Sequence, residues 1–202
     1  MSRDTADMRG FTVVELTVTC AVLSLVLVSL LSLLDSQTRA ERHLQAVVNS
    51  QEDVRFAMLA IARDVRAADP LLPLSSVDGY ANQIQLQLRD GSGTSLGYVR
   101  WILDPAAQAV SRLVLSGPNG TVTSTVFTLP RVRNAQDGLP LFRYYNSDGT
   151  ELTASTATTA DFANCTVRVH ITLEADTNPG PKPFQLDSDA EVRNRLPGGI
   201  GC

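Results

Sequence analysis

The chain has 202 residues, 44% of them hydrophobic and 19% charged, with a formal net charge of −4 and a pI near 5.1. That length suits one modest domain beside a membrane segment and argues against a second domain. The acidic balance and a single lysine, Lys182, exclude a broad basic surface for duplex binding and leave only a small local patch open to DNA.

Residues 11–34 form an apolar run whose only charge is Glu15. As a helix the run reaches about 36 Å, enough to cross a hydrocarbon core of about 30 Å. An acid inside such a segment costs roughly 2.5 kcal/mol or more, so it calls for a partner and marks function. A secretory signal would have a shorter apolar stretch, and the nearest small-residue cleavage site, Thr38-Arg39-Ala40, lies beyond the charged Asp35. An ordinary single-pass anchor accounts for the length but gives Glu15 no reason. Arg3 and Arg9 before the run are matched by Arg39 and Arg42 after it, so flanking charge does not set the orientation. Thr12, Thr17, Thr19, Ser24, Ser29 and Ser32 read as helix-packing or backbone-bonded hydroxyls, and Cys20 as a small apolar packer.

Past residue 34 a helical period persists through Leu44, Val47, Val48, Val54, Met58, Ile61, Val65 and Ala68. The spacing predicts one helix over about 12–68, closed by Asp69-Pro70 because a residue before proline is pushed out of the α region. Phe56, Leu59 and Ala60 widen the apolar stripe, which favours packing on a sheet over a narrow coiled-coil seam. Arg39, Glu41, Arg42, Glu52, Arg55, Arg63, Asp64 and Arg66 are read as a solvated face.

From residue 71 short β-rich runs replace that period. Alternation in Ile84-Gln85-Leu86-Gln87-Leu88 marks a half-buried strand, joined through Asp90-Gly91-Ser92-Gly93 to a second over 98–103. Further strands are expected over 112–115, 122–129, 141–145, 166–173 and 184–192, making one antiparallel sheet or two. Residues 153–159 and 178–183 read as exposed loops. Cys165 and Cys202 can pair if this part sits in an oxidising compartment, or stay as free buried thiols.

Catalytic chemistry has little supply. His43 and His170 are far apart in sequence with no nucleophile motif, and each reads as a surface or satisfied core histidine. Asp176, Asn178, Asp187 and Asp189 offer hard oxygen ligands for calcium but lack a full EF-hand pattern, and no paired Cys or His spacing for zinc occurs. No phosphate-binding glycine loop is present. No catalytic residue, metal site or cofactor is therefore expected.

Arg9-Gly10-Phe11-Thr12-Val13-Val14-Glu15-Leu16 resembles the N-terminus of type IV prepilins, the type IV pilin and pseudopilin superfamily. The resemblance implies that a prepilin peptidase cuts between Gly10 and Phe11, that the new amino group of Phe11 is methylated, and that Glu15 pairs with the N-terminal ammonium of a neighbouring subunit during assembly. Softer cues over Ala62-Arg63-Asp64-Val65-Arg66, Leu141-Phe142-Arg143-Tyr144-Tyr145 and Val192-Arg193-Asn194-Arg195 are similar to the larger minor pilins, the PilW-like proteins and the J-type pseudopilins. The fold that this resemblance leads one to expect is α+β and pilin-like. Its parts are a leader over 1–10, a transmembrane and assembly helix over 11–34, an amphipathic continuation over 35–69, and a β-rich antiparallel head over 70–202. The expected function is structural: a minor pilin or pseudopilin of a type IV pilus-like or type II secretion filament, held in the cytoplasmic membrane with the head outside. Its expected partners are the prepilin peptidase, other pilin or pseudopilin subunits and the membrane; DNA or secreted cargo has no support in the residues. The alternative is a membrane-anchored β-rich binding or adhesion module that does not polymerise.

Overall fold

The computed structural model describes residues 12–176 and 183–192. The chain divides into two compact units, Met1–Gln45 and Ala46–Cys202. In the first unit the described residues belong almost wholly to helix α1 (Val13–Arg66), and each is solvent-facing, large apolar side chains such as Leu25 and Leu31 included. By length and composition α1 contains one segment able to cross a membrane, near the N-terminus and with no part of it buried.

In the second unit the rest of α1 packs against antiparallel sheets, giving the α+β architecture. α1 buries Val54, Ala57, Met58, Ile61, Ala62 and Val65, the three-and-four spacing that lines one face of a helix. The buried stripe is narrower than the sequence suggests. Phe56 is 61% exposed and Leu59 69%, because both lie more than about 100° around the helix from the stripe's centre. Leu44 and Val48 are exposed as well. Conversely Asp64, expected on the solvated face, is buried.

The helix stops at Arg66, with Ala67 N–H still donating to the Arg63 carbonyl. Asp69-Pro70 then falls inside a short strand, β1 (Ala68–Leu71), at the edge of the first sheet, where proline's missing N–H is tolerated. The first sheet is an antiparallel meander in the order β1-β2-β3-β4-β5, with β2 Gln83–Arg89, β3 Ser95–Asp104, β4 Ala109–Leu115 and β5 Val122–Pro130. One row of its register runs Ile84, Trp101, Arg112, Phe127 across four strands. The turn from β2 to β3 is tied by Asp90 Oδ1, which accepts from the Ser92 and Thr94 N–H groups and from the Ser92 hydroxyl, and it needs Gly93 at φ 83°.

The second sheet has the order β7-β6-β8-β9, with β6 Phe142–Tyr145, β7 Glu151–Leu152, β8 Arg168–Ala175 and β9 Phe184–Glu191. Leu86, Val99 and Trp101 from the first sheet, and Phe142, Tyr144, Val169 and Ile171 from the second, join the α1 stripe in one core. A short helix, α2 (Thr159–Cys165), lies between β7 and β8. The Ser/Thr-rich stretch read as an exposed loop is one over residues 153–158 and leads into α2: Thr158 caps the helix, its hydroxyl accepting from Asp161 N–H at 3.2 Å while Asp161 Oδ2 accepts from Thr158 N–H at 2.7 Å. Phe162 of α2 stacks on Tyr80 at 4.1 Å and meets Tyr144 edge-on at 5.3 Å.

Candidate assembly site at the start of the long helix

Of the residues singled out at the N-terminus, Gly10 and Phe11 lie outside the described residues, and Glu15 occupies the first turn of α1. Thr12 N–H and the Thr12 hydroxyl both donate to Glu15 Oε2 at 3.0 Å, and Glu15 N–H donates to Thr12 Oγ1 at 3.3 Å. This is a reciprocal cap of the Thr-x-x-Glu kind, which satisfies amide groups that a helix start leaves without partners. The negative side chain also sits at the positive end of the helix dipole. The spacing of Thr12 and Glu15 carries that signal in the sequence, a weaker one than the acid's charge in an apolar run.

Further along the apolar run, hydroxyls turn back on the helix. Thr17 donates to the Val14 carbonyl, Thr19 to Glu15 and Leu16, Ser24 to Ala21 and Ser29 to Leu25, at 2.8–2.9 Å. These groups are thus satisfied internally, which would also serve a helix withdrawn from water. Cys20 is a free, exposed thiol.

The remaining candidates do not converge. His43 lies exposed on α1, whereas His170 lies on β8 between two acids, its Nδ1 3.1 Å from Asp189 and its Nε2 3.5 Å from Asp187. Thr172 and Gln185 donate to Asp187 in turn, so that carboxylate is already engaged. Asp176 is held by Arg133 at 3.3 Å, and Asn178 lies outside the described residues. Among the described residues no group of three or more His, Cys, Asp or Glu is placed to hold a metal ion. Cys165, at the end of α2, is buried and is not a free thiol; Cys202 lies outside the described residues.

A polar centre that the local sequence does not reveal lies in the core. Asp64 Oδ2 accepts from Trp101 Nε1 at 3.0 Å and from Arg112 Nε at 2.7 Å, while Arg63 reaches Oδ1 at 3.3 Å. Trp101 and Arg112 are directly opposite on β3 and β4, so the register aims two donors at one acid on α1. With its charge paired and both oxygens occupied, Asp64 ties the helix to the sheet. Compared with known proteins, the chain matches no family model and no curated protein.

Proposed function

We propose that the chain is a minor pilin or pseudopilin, a non-enzymatic subunit of a type IV pilus-like or type II secretion filament. On this reading residues 11–34 hold it in the cytoplasmic membrane with the head on the extracytoplasmic side. A prepilin peptidase removes the leader between Gly10 and Phe11, the Phe11 amine is methylated, and the subunit then assembles with its neighbours. The observation that carries the proposal is the acid in the first turn of a helix whose N-terminal apolar segment is exposed throughout, at the fifth residue of the chain that cleavage would leave. The α+β architecture, with the distal part of the same helix buried on antiparallel sheets, supports it.

Gly10 without a side chain lets a protease approach the backbone closely. Thr12 uses only Oε2 of Glu15, and a carboxylate accepts about four hydrogen bonds, so the local cap and a neighbour's ammonium can be served together. Two unit charges about 4 Å apart gain roughly 4 kcal/mol at an effective dielectric of 20, against about 1 kcal/mol in water. Withdrawal from water on assembly is therefore what makes the contact worthwhile. A Cys165–Cys202 bond, formed in an oxidising compartment, completes the proposal.

Glu15→Gln tests the pairing role: the variant keeps nearly the same volume and should insert into the membrane at wild-type levels, yet enter filaments poorly. Wild-type incorporation would refute the role assigned to the charge. One observation favours the second reading, a membrane-anchored β-rich binding module that does not polymerise: the Thr12 cap gives Glu15 a local function that needs no neighbour. On that reading the leader stays on the mature protein.

A further inference from the structure

We propose that Glu174 is a proton-operated latch on the junction between the two sheets: neutral, it holds residues 131–139 against β8, and ionised, it loosens them. The junction exists because β6 begins at Phe142 and pairs β8 only as far as Ile171, so the rest of that edge of β8 needs other partners. The segment leaving β5 supplies them. Asn134, fully buried, donates from Nδ2 to the Thr172 carbonyl at 2.8 Å and accepts from Glu174 N–H at 2.9 Å. Arg133 N–H donates to the Glu174 carbonyl at 2.8 Å, Val132 bridges to Ala175, and Asp176 N–H donates to the Arg131 carbonyl at 2.9 Å. The segment begins with Arg131 at φ 63°, a left-handed conformation that side-chain-bearing residues seldom adopt, and so one readily given up. Ser50 of α1 donates to the Asp176 carbonyl, which joins the helix to the same point.

The side chains at this junction are out of balance. Glu174 is 7% exposed, and its Oε2 is buried without a hydrogen-bond partner. Asp137 and Asp176 lie around it with one guanidinium among them: Arg133 reaches Asp137 at 3.2 Å and Asp176 at 3.3 Å. From β9 the residue paired with Glu174 is the uncharged Gln185, and the next acid along, Asp187, is engaged by Thr172. Ionising Glu174 would place a buried negative charge beside two part-exposed ones, with Arg133 already shared between them. Burial foremost, then the Asp137 charge and a hydrogen bond to it, hold the Glu174 carboxyl above its ordinary value; Asp176 adds to this and Arg133 opposes it. Its folded value thus exceeds the unfolded one, so its stabilisation is complete below the unfolded value near 4.5 and is lost as pH rises through the folded value.

The test is backbone hydrogen exchange on the full chain in detergent micelles at about pH 5 and about pH 8, each corrected for the intrinsic pH dependence of exchange. The amides of Leu139, Glu174 and Asp176 should lose protection at the higher pH while those of β2 and β3 do not. Glu174→Gln, neutral at both values and close in shape, should abolish that loss. A wild-type junction equally protected at both values, or a Gln variant that keeps the loss, overturns the proposal. Should that variant fail to fold, Asp137→Asn decides the matter: a smaller loss supports the latch, and an undiminished one overturns it.

Discussion

At Asp64 a charged residue stands where the helix meets its sheet, and the cost of burying it is offset by three donors from three places in the chain. Removing one member of such a set leaves the others uncompensated, which is worth about 3–5 kcal/mol for a buried pair. Asp64→Ala should therefore lower the denaturant midpoint of the full chain severely, since it orphans both Arg112 and Trp101 Nε1–H. Replacing Asp64 and Arg112 together with apolar residues of similar volume should recover much of that loss, because the pair is stabilising only relative to its broken forms. Equal destabilisation in the single and double variants, read from equilibrium unfolding, would show that packing and not charge dominates there. Nothing in the local sequence marks Asp64 apart from its neighbours Arg63 and Arg66. Its burial depends on a register between β3 and β4 that becomes visible only when the sheet is assembled.

Among the elements, those with a clear period are legible and those defined by their surroundings are not. β2 reads from sequence because Ile84 and Leu86 alternate with polar residues, and its hairpin partner reads from the glycine-rich turn between them. β1 is hidden by Pro70, which an edge position tolerates, and α2 by a Ser/Thr/Ala-rich stretch in which the cap signal of Thr158 and Asp161 resembles a loop. The candidate site obeys the same rule. Glu15 stands out because a charge in an apolar run is conspicuous, whereas its cap by Thr12 is a weaker signal of the same kind as the one before α2. Because α2 depends on that cap, Thr158→Ala should cost about 1 kcal/mol. The loss should also appear as faster amide exchange at Phe162, whose N–H donates to the Thr158 carbonyl, while the Trp101 region stays unchanged. The aromatic group that α2 completes adds a pH limit. Burial, with a smaller contribution from Tyr80, holds the Tyr144 hydroxyl well above its ordinary value of 10.0 while it donates to the Gln83 carbonyl. Its contribution to stability is thus present below about pH 10 and lost above it.

At the scale of the whole chain, one sequence carries an exposed apolar segment able to span a membrane and a part that buries its own core. Residues 11–34 carry the apolar surface that a membrane or neighbouring helices would cover, and the head buries its own core around the last turns of the same helix. Past residue 34 the apolar period weakens rather than stops, and from Val54 on the helix is covered by the sheets on one face. Cleavage of a short leader and assembly through Glu15 are the proposals that rest on the residues at the start of the first part, and they give a membrane-held subunit a route into a filament. The most direct test is the intact mass and N-terminal sequence of the protein taken from its native membrane. The account predicts a chain that begins at Phe11 with a methylated amine; a chain that still begins at Met1, or that begins beyond residue 34, would contradict it.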